Sequence, residues 1–418
     1  MSKMTLSEEL QWRGFVNQTT FADLTQLDNE QWTFYHGFDA SADSQAVGNL
    51  AAMMFDKVFM RHGHKAIILA GGATSLIGDP GGKDSERVLQ DEQTIAHNVE
   101  CAEEQLKKIF TGHDFTLVNN LDWTKSMTVI EYLRDIGKYF SMTPLVQRDY
   151  IAKRLGEGGA GISYTEFSYT LLQGLDYLHL FDAMGARLQL GGSDQWGNCL
   201  SGVELIRRAR GQEAHVVTLP LVINKATGKK FGKSEEGTIW LDPEKTSPTK
   251  FYQFWINIDD QGVDGYLKIF TELGKEEVAE IIALHQTNPK ERHAQIRLAQ
   301  EVTKLVHGEV ELHNAELVTE VLTGKRAPSE LEGQALDAMR KEVPSMRAQP
   351  NATIIDILFA TGLASSKTDA RRLLADNAIA VNGDKIQKEH LEESDFLNDR
   401  LLIRKGRAFK DSAFVERG

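Results

Sequence analysis

Apolar residues recur along the first half of the chain in two alternating patterns. Thr33–Phe38 and Lys65-Ala-Ile-Ile-Leu-Ala are short strand-forming runs, the second continuous enough to be buried on both faces of a parallel sheet. Helical periodicity follows at Thr94–Phe110 and Ser126–Tyr139, separated by the polar Asn119-Asn120-Leu121-Asp122-Trp123. A glycine-rich loop at Gly156–Gly161 precedes a helix over Thr165–Phe181 that is apolar almost all round and so expected to be buried. Further strands are expected at Arg187–Leu190 and His215–Ile223, with one or two amphipathic helices in residues 1–32. Strands alternating with helices predict an α/β fold on a mostly parallel sheet.

Beyond residue 240 the pattern changes. Helical periodicity continues to about Leu322, and Gly324–Asn351, with three prolines, loses it and reads as a connector. Residues 352–418 read as a compact α+β unit, with helices at Ile354–Ala360 and Lys367–Ala375 and a hairpin turning at Asn382-Gly383. The expected domains are 1–240, 241–323, a linker 324–351, and 352–418.

Composition narrows the function without naming it. A chain of 418 residues is too long for one ordinary core, and 41% hydrophobic with 26% charged residues is normal for a soluble protein. No run approaches the roughly 18 apolar residues of a membrane span, and the N-terminus lacks the apolar core of a signal peptide, so a cytoplasmic location is expected. Cys101 and Cys199 alone rule out a disulfide framework and a cysteine-based zinc site, and no metal site is expected. The formal charge of −13 argues against coating nucleic acid by charge alone, but leaves a local basic face open.

Candidate chemistry collects at strand ends. Thr33–Asn49 reads as strand, small-residue loop and helix start, a geometry that presents N–H groups to a phosphate; an ordinary βα connection is the alternative. Two phosphate motifs fail at the next strand: Ile77 stands where a P-loop needs glycine, Asp84 where it needs Ser or Thr, and no Gly-x-Gly-x-x-Gly follows. Tyr169, Gln173 and Asp176 share one face of their helix, either as a satisfied structural network or as the wall of a pocket for a small polar ligand. Gly191-Gly-Ser-Asp-Gln-Trp-Gly-Asn198 places Asp194 and Gln195 at a strand's C-terminal end, where a carboxylate suits a ribose diol. Asn224–Gly237 carries Lys229, Lys230 and Lys233 among glycines, either a solvated hairpin or a loop that folds over a polyphosphate.

Taken as an ordered set, Tyr35-His-Gly-Phe-Asp-Ala-Ser-Ala-Asp-Ser, Gly71-Gly-Ala-Thr, Gly78-Asp-Pro, Ser168-Tyr-Thr-Leu-Leu-Gln-Gly-Leu-Asp, Gly191-Gly-Ser-Asp-Gln-Trp-Gly-Asn and Lys230-Phe-Gly-Lys-Ser resemble the bacterial-type tyrosyl-tRNA synthetases over essentially the whole chain. These are class I aminoacyl-tRNA synthetases. The resemblance implies a Rossmann-like catalytic domain, a helical middle domain and an S4-like C-terminal RNA-binding domain. It implies L-tyrosine, ATP with Mg2+ and tRNA(Tyr) as substrates, no tightly bound cofactor, and a homodimer. Tyr35 and Asp176 would bracket the phenol hydroxyl, and Asp79, Tyr169 and Gln173 would hold the ammonium. Gln195 would lie near the carboxylate, and Asn120 would order the pocket. Gly192 and Asp194 would meet the ribose, Asp39 the ammonium or α-phosphate, and Gly48 and Asn49 the nucleotide. Lys83, Arg87, Lys230 and Lys233 would supply positive charge. The S4 likeness directs Lys367, Arg371, Arg372, Arg404, Lys405, Arg407 and Lys410 to RNA phosphates.

Two positions depart from that family's pattern. Ala46-Val-Gly-Asn stands where a His-x-Gly-His or His-x-Gly-Asn segment is common, so Ala46 offers no donor to a polyphosphate, although Ser41 keeps the hydroxyl that accompanies the absent imidazole. Asp84 stands beside Lys83 where a second basic residue is often found. Slow activation is therefore an alternative: a synthetase paralogue acting mainly as an RNA- or tyrosine-binding protein. Activation of a different aromatic acid is disfavoured by Tyr35 and Asp176.

Overall fold

The computed structural model describes residues 4–79, 90–147, 149–228, 231–234, 237–406 and 411–418. The chain folds as two compact units, one of Met1–Asp242 with Ile258–Ala294, the other of Pro243–Asn257 with Gln295–Gly418.

The first unit is built on a six-stranded sheet of β1 (Gln18–Thr19), β2 (Thr33–Phe38), β3 (Lys65–Ala70), β4 (Phe115–Asn119), β5 (Leu188–Gly192) and β6 (His215–Leu219). Their order is β1-β6-β5-β2-β3-β4. Only β1 runs antiparallel to its neighbour; the other pairs are parallel. β2 and β3 bury Phe34, Tyr35, Ile67, Ile68 and Leu69 on both faces, which explains the unbroken apolar run of β3. β6 stops at Leu219 rather than at Ile223, because Pro220 has no N–H to continue a ladder; Leu221 and Ile223 lie beyond it, exposed.

Helices cover the sheet. Val47–Arg61 and Glu92–Ile109 follow β2 and β3, and Tyr164–Met184 and Trp196–Arg210 flank β5. The Tyr164–Met184 helix starts where Ser163 accepts from the Glu166 N–H and the Glu166 carboxylate reaches back to the Ser163 N–H, a reciprocal cap. Arg154 then holds Glu166 in a bidentate pair at 2.7 and 2.8 Å. The expected helix over Ser126–Tyr139 is instead broken into Val129–Glu131, a π-helical turn Tyr132–Ile136 and a 3-10 turn Gly137–Tyr139. Its apolar residues do not share a buried face: Val129, Ile130 and Leu133 are exposed while Ile136 is buried.

In the second unit the strands Asp384–Lys385, Ile379–Val381, Arg400–Lys405, Ser412–Arg417 and Ser345–Ala348 form one sheet in that order, the last pair parallel. Alternation along two of them serves two cores. Leu401, Ile403, Ala413 and Val415 pack on the helices Ile354–Ala360 and Lys367–Ala375, whereas Leu402 and Phe414 pack on Val318, Leu322 and Met339. The segment expected as a connector carries the helix Gly333–Glu342 and the strand Ser345–Ala348, whose contacts come from residues far along the chain and leave no periodic trace in its own sequence. The hairpin turns at Asn382 and Gly383, both at positive φ. Among the described residues no helix is long and apolar enough to cross a membrane.

Candidate active site

From β2 the chain adds β3 and β4 on one side, and β5 and β6 on the other, so the sheet reverses direction between β2 and β5. A crevice opens at such a reversal, beyond the carboxyl ends of the two strands. A cavity of about 150 Å³ lies there. Of the expected residues it brings together Tyr35, Asp39, Asp79, Tyr169, Gln173, Asp176 and Gln195. Cavities of this size class hold a single benzene ring in engineered proteins.

One part of the cavity is polar and buried. Asp176 is 2% exposed and accepts hydrogen bonds from Asn120 Nδ2 at 2.9 Å and Trp123 Nε1 at 3.0 Å. Asn120 is thus an orienting partner for Asp176, and its Oδ1 accepts from the Ala73 N–H at 2.7 Å. Burial pushes the Asp176 carboxyl up to about 7, against the lowering effect of its two donors. Among the described residues the hydroxyl of Tyr35, 1% exposed, is buried with no hydrogen-bond partner, and so is Oε1 of Gln189. The two residues are neighbours in register across β2 and β5. An unsatisfied buried polar atom costs roughly 1–3 kcal/mol, which a ligand group bonding to it recovers. Burial raises the Tyr35 hydroxyl well above its ordinary range, with Cys199, Tyr177 and Asp176 adding to the rise, so it acts as a neutral donor.

Two further carboxylates line the cavity. Asp39 accepts from Thr74 Oγ1 at 2.9 Å and from the Tyr169 hydroxyl at 3.0 Å. Asp79 accepts from Gln195 Nε2 at 2.7 Å; Gln195 Oε1 accepts from Asn198 Nδ2 at 3.0 Å, and Asn198 Oδ1 from Thr170 Oγ1 at 2.7 Å. This relay fixes the Gln195 amide with its donor on the acid. Three carboxylates around one small cavity suit a cationic ammonium group. Close approach also dictates glycine: a Cβ on Gly71 would sit 2.5 Å from Asp39 Oδ1, and one on Gly72 2.2 Å from Asn119 Oδ1.

Among the described residues, the nucleotide-side candidates Gly48, Asn49, Gly192 and Asp194 do not line this cavity. The helix Val47–Arg61 begins at Ala46, which provides no side-chain cap; Asn49 Oδ1 accepts from the Ala46 N–H at 3.1 Å. The lysine-rich segment returns to this helix start. Ile239 accepts from the Val47 N–H at 3.0 Å, and Gly232, at φ +88°, lies so close that a Cβ on it would be 3.1 Å from the Gly48 nitrogen. Lys233 begins the short strand Lys233–Ser234, whereas Lys83, Arg87 and Lys230 lie outside the described residues. Gly192 ends β5, followed by Asp194 in a 3-10 turn, and Ser41 is exposed in the loop after β2. Among the described residues no group of three or more His, Cys, Asp or Glu side chains is placed to hold a metal ion.

The basic candidates of the second unit divide. Lys367 pairs with Asp356 at 2.7 Å, and Arg372 with Asp369 at 2.8 Å. Arg404 and Lys405 donate to the carbonyls of Leu322 and Leu363, both at 3.1 Å. Arg371 is exposed and makes no ion pair within 4.0 Å among the described residues. Arg407 and Lys410 lie outside them.

His36, Thr74, Gln189 and Asn198 were not anticipated. The signal for His36 and Gln189 was a polar residue inside an otherwise apolar strand; Thr74 and Asn198 stand in two of the short motifs, but only the folded chain brings them to their partners.

A parallel sheet with its pocket at the reversal point, and a glycine- and lysine-bearing segment returning to the first helix start, make this a class I aminoacyl-tRNA synthetase fold. The family described as "tRNA synthetases class I (W and Y)" matches residues 27–323, and the "Tyrosine--tRNA ligase SYY-like C-terminal domain" matches residues 335–409. The tyrosine–tRNA ligase of Bacillus caldotenax is 44% identical over 419 residues, spanning 97% of this chain and 98% of that one. Tyrosine–tRNA ligase 2 of Bacillus cereus is 42% identical, spanning 99% and 100%. A crystal structure of a C-terminally truncated mitochondrial tyrosyl-tRNA synthetase from Aspergillus nidulans superposes with a TM-score of 0.68 at 30% identity, covering 76% of this chain and 94% of that one. The chain therefore belongs to the class I synthetase family of tryptophan and tyrosine enzymes, and within it to the bacterial-type tyrosyl-tRNA synthetases.

The raised Asp176 carboxyl has a thermodynamic consequence. A folded value near 7, above the ordinary 3.8, means that burying the charge costs stability increasingly as pH rises from about 4 to 7. Asp176→Asn should flatten the fall in Tm over that window; an unchanged slope by calorimetry would assign the charge elsewhere.

Proposed function

We propose that this chain is an ATP-dependent tyrosine–tRNA ligase, which converts L-tyrosine and MgATP to tyrosyl-adenylate and pyrophosphate and passes the tyrosyl group to tRNA(Tyr). The observation that carries the reading is the ring-sized cavity with the unpartnered Tyr35 hydroxyl close enough to Asp176 to feel its charge. A phenol hydroxyl supplies the acceptor that the Tyr35 hydroxyl lacks and would add a third donor to Asp176. Phenylalanine would leave the Tyr35 hydroxyl unsatisfied, a discrimination for which this enzyme class is itself the standing example. Asp79 and Tyr169, with Gln173, would hold the ammonium, and Gln195 would lie by the carboxylate.

Chemistry then needs only alignment and charge. A carboxylate oxygen of tyrosine attacks the α-phosphorus in line, the bond to the bridging oxygen of pyrophosphate breaks, and pyrophosphate leaves with the electron pair. A hydroxyl of the terminal tRNA ribose next attacks the acyl carbon, and AMP departs. No covalent enzyme intermediate is required. Lys83, Arg87, Lys230 and Lys233, with magnesium arriving on ATP, would stabilise the charge that builds on the pentacoordinate phosphate. Asp194 and Gly192 would meet the ribose, with Gly48 and Asn49 at the helix start and Ser41 beside it.

A reduced activation rate is a second reading, favoured by Ala46, which itself offers no side-chain donor at the helix start. In other enzymes one transition-state donor is worth about 2.7–4 kcal/mol. Tyrosine-dependent ATP–pyrophosphate exchange decides between them. The ligase reading expects exchange in the wild type, and Tyr35→Phe should narrow the preference for tyrosine over phenylalanine. Absence of exchange in both the wild type and Ala46→His would exclude it, while a gain confined to Ala46→His would identify Ala46 as the cause of slow activation.

The C-terminal unit would bind tRNA as an S4-like module, with Arg371 the exposed cation among the described candidates that is not already ion-paired or bonded to a carbonyl. Lys367→Ala/Arg371→Ala/Arg372→Ala should weaken tRNA charging and lower its salt dependence while exchange is spared; equal loss in both assays would contradict the assignment.

A homodimer is part of the proposal, as is residence in the cytoplasm with the other substrates of translation. Support for the dimer comes from one stretch of the first unit, where Val129, Ile130, Leu133, Met142, Leu155 and Tyr164 expose large apolar surface. Segments from this stretch pack on one another around Leu145, Ile151, Phe167 and Leu171, so the exposed residues belong to one folded region. Ile130→Asp should shift the sedimentation coefficient toward that of a monomer; a wild-type monomer at micromolar concentration would refute the dimer.

A further inference from the structure

Tyr266, in the helix Val263–Phe270, does not line the cavity and has no role in the reaction as described above, yet it holds the lysine-bearing segment from both sides. Its hydroxyl donates to the Ile223 carbonyl at 3.1 Å and accepts from the Lys225 N–H at 3.2 Å. Its ring lies 4.6 Å from that of Phe231, which is 4% exposed. Between these contacts the chain turns: the Asn224 carbonyl accepts from the Gly228 N–H at 2.7 Å, and Asn224 Oδ1 from the Thr227 N–H at 2.9 Å. The Phe231 N–H then donates to the Val222 carbonyl at 3.0 Å. One side chain therefore clamps the outgoing arm of the turn, at Ile223 and Lys225, to the returning arm at Phe231.

A clamp can position a segment only if it is itself fixed. Tyr266 is 2% exposed, and Gly262 is small for its sake, since a Cβ there would be 2.6 Å from the Tyr266 hydroxyl. Phe270, one turn on, stacks on Phe231 at 5.3 Å. The far end of the same helix is capped by Arg13, which donates to the carbonyls of Lys268, Thr271 and Leu273 at 2.6, 2.8 and 3.0 Å. Arg13 is held by Glu9 at 2.7 Å, and Glu9 also pairs with Arg61 at the end of the helix Val47–Arg61. The seat of Phe231 and the helix start at Val47 and Gly48, against which Gly232 packs, thus belong to one tied frame. Phe231 and Gly232 are adjacent in the chain, so where the backbone enters Lys233 is set by how Phe231 sits on Tyr266.

We propose that Tyr266 is a positioning residue for activation: it acts through Phe231 to hold the lysine segment against the helix start, and so sets the rate of adenylate formation without touching tyrosine. The inference rests on the ligase reading and deepens it. Lysines on a glycine-bearing turn are costly to order, and a clamp formed on folding removes part of that cost from the reaction itself.

The test separates rate from substrate binding. Tyr266→Leu and Phe231→Leu should each lower kcat for tyrosine-dependent ATP–pyrophosphate exchange by roughly tenfold, the worth of a hydrogen bond or a ring pair. The KM for tyrosine, whose cavity neither residue lines, should stay at the wild-type value. Tyr266→Phe, which keeps the ring, should recover part of the loss, and the double Leu variant should be no slower than either single one because both act through one contact. An unchanged kcat, a KM for tyrosine that rises in step with the loss, or a roughly hundredfold additive loss in the double variant overturns the proposal. If Tyr266→Leu does not fold, Tyr266→Phe and Phe231→Leu decide by the same split. If the wild type shows no exchange, the ligase reading fails instead. Amide hydrogen exchange then reads the clamp directly: the Lys225 and Phe231 N–H groups should exchange roughly tenfold faster in Tyr266→Phe, and unchanged protection overturns it.

Discussion

The site hangs on the parallel pairing of β2 between β3 and β5. Because β5 joins the sheet on the opposite side of β2 from β3, a crevice must open at their carboxyl ends, and the residues at those ends face it whatever their chemistry. The register then decides which ones meet: Tyr35 lies beside Ile67 on one side and Gln189 on the other, and His36 beside Ile68 and Leu190. A slip of one residue would exchange the faces of the strand, putting Tyr35 where His36 now meets Asp56. The buried apolar neighbours Phe34, Ile67 and Leu69 make such a slip costly.

Within that frame the pocket follows a rule of polar accounting. Each carboxyl group taken out of water is given hydrogen-bond partners: Asp176 has Asn120 and Trp123, Asp39 has Thr74 and Tyr169, Asp79 has Gln195, and Asp56 has His36. Among the described residues the Tyr35 hydroxyl and Gln189 Oε1 are buried on adjacent strands without a hydrogen-bond partner, which is what a polar group entering the cavity would satisfy.

The helix start shows the same division from the other side. Its first N–H groups are partly taken up by the protein itself, Val47 donating to Ile239 and Ala46 to Asn49. Packing of the Phe231 side chain on Tyr266 and Phe270 anchors the segment that returns there. The returning segment is therefore tied down by an aromatic residue between its lysine positions 230 and 233.

The alternation of strand and helix, the buried run of β3, the polar face of Tyr169, Gln173 and Asp176, the C-terminal hairpin and the ordered set of short motifs are all local properties. Periodicity and turn chemistry act over a few residues, so the sequence by itself determined the α/β class, the family and seven of the sixteen residues that line the cavity. It misjudged Ser126–Tyr139, where a helical period has no common buried face, and residues 324–351, whose helix and strand are stabilised by partners distant along the chain. Nor did it reveal that Lys367 and Arg372 have carboxylate partners, or that Asn120 acts through Asp176. Above all it was silent on the His36–Asp56 pair and on the two unsatisfied atoms of Tyr35 and Gln189. Those depend on strand order and on which groups are left without partners after folding, and no stretch of sequence contains either; only the tertiary structure decided them.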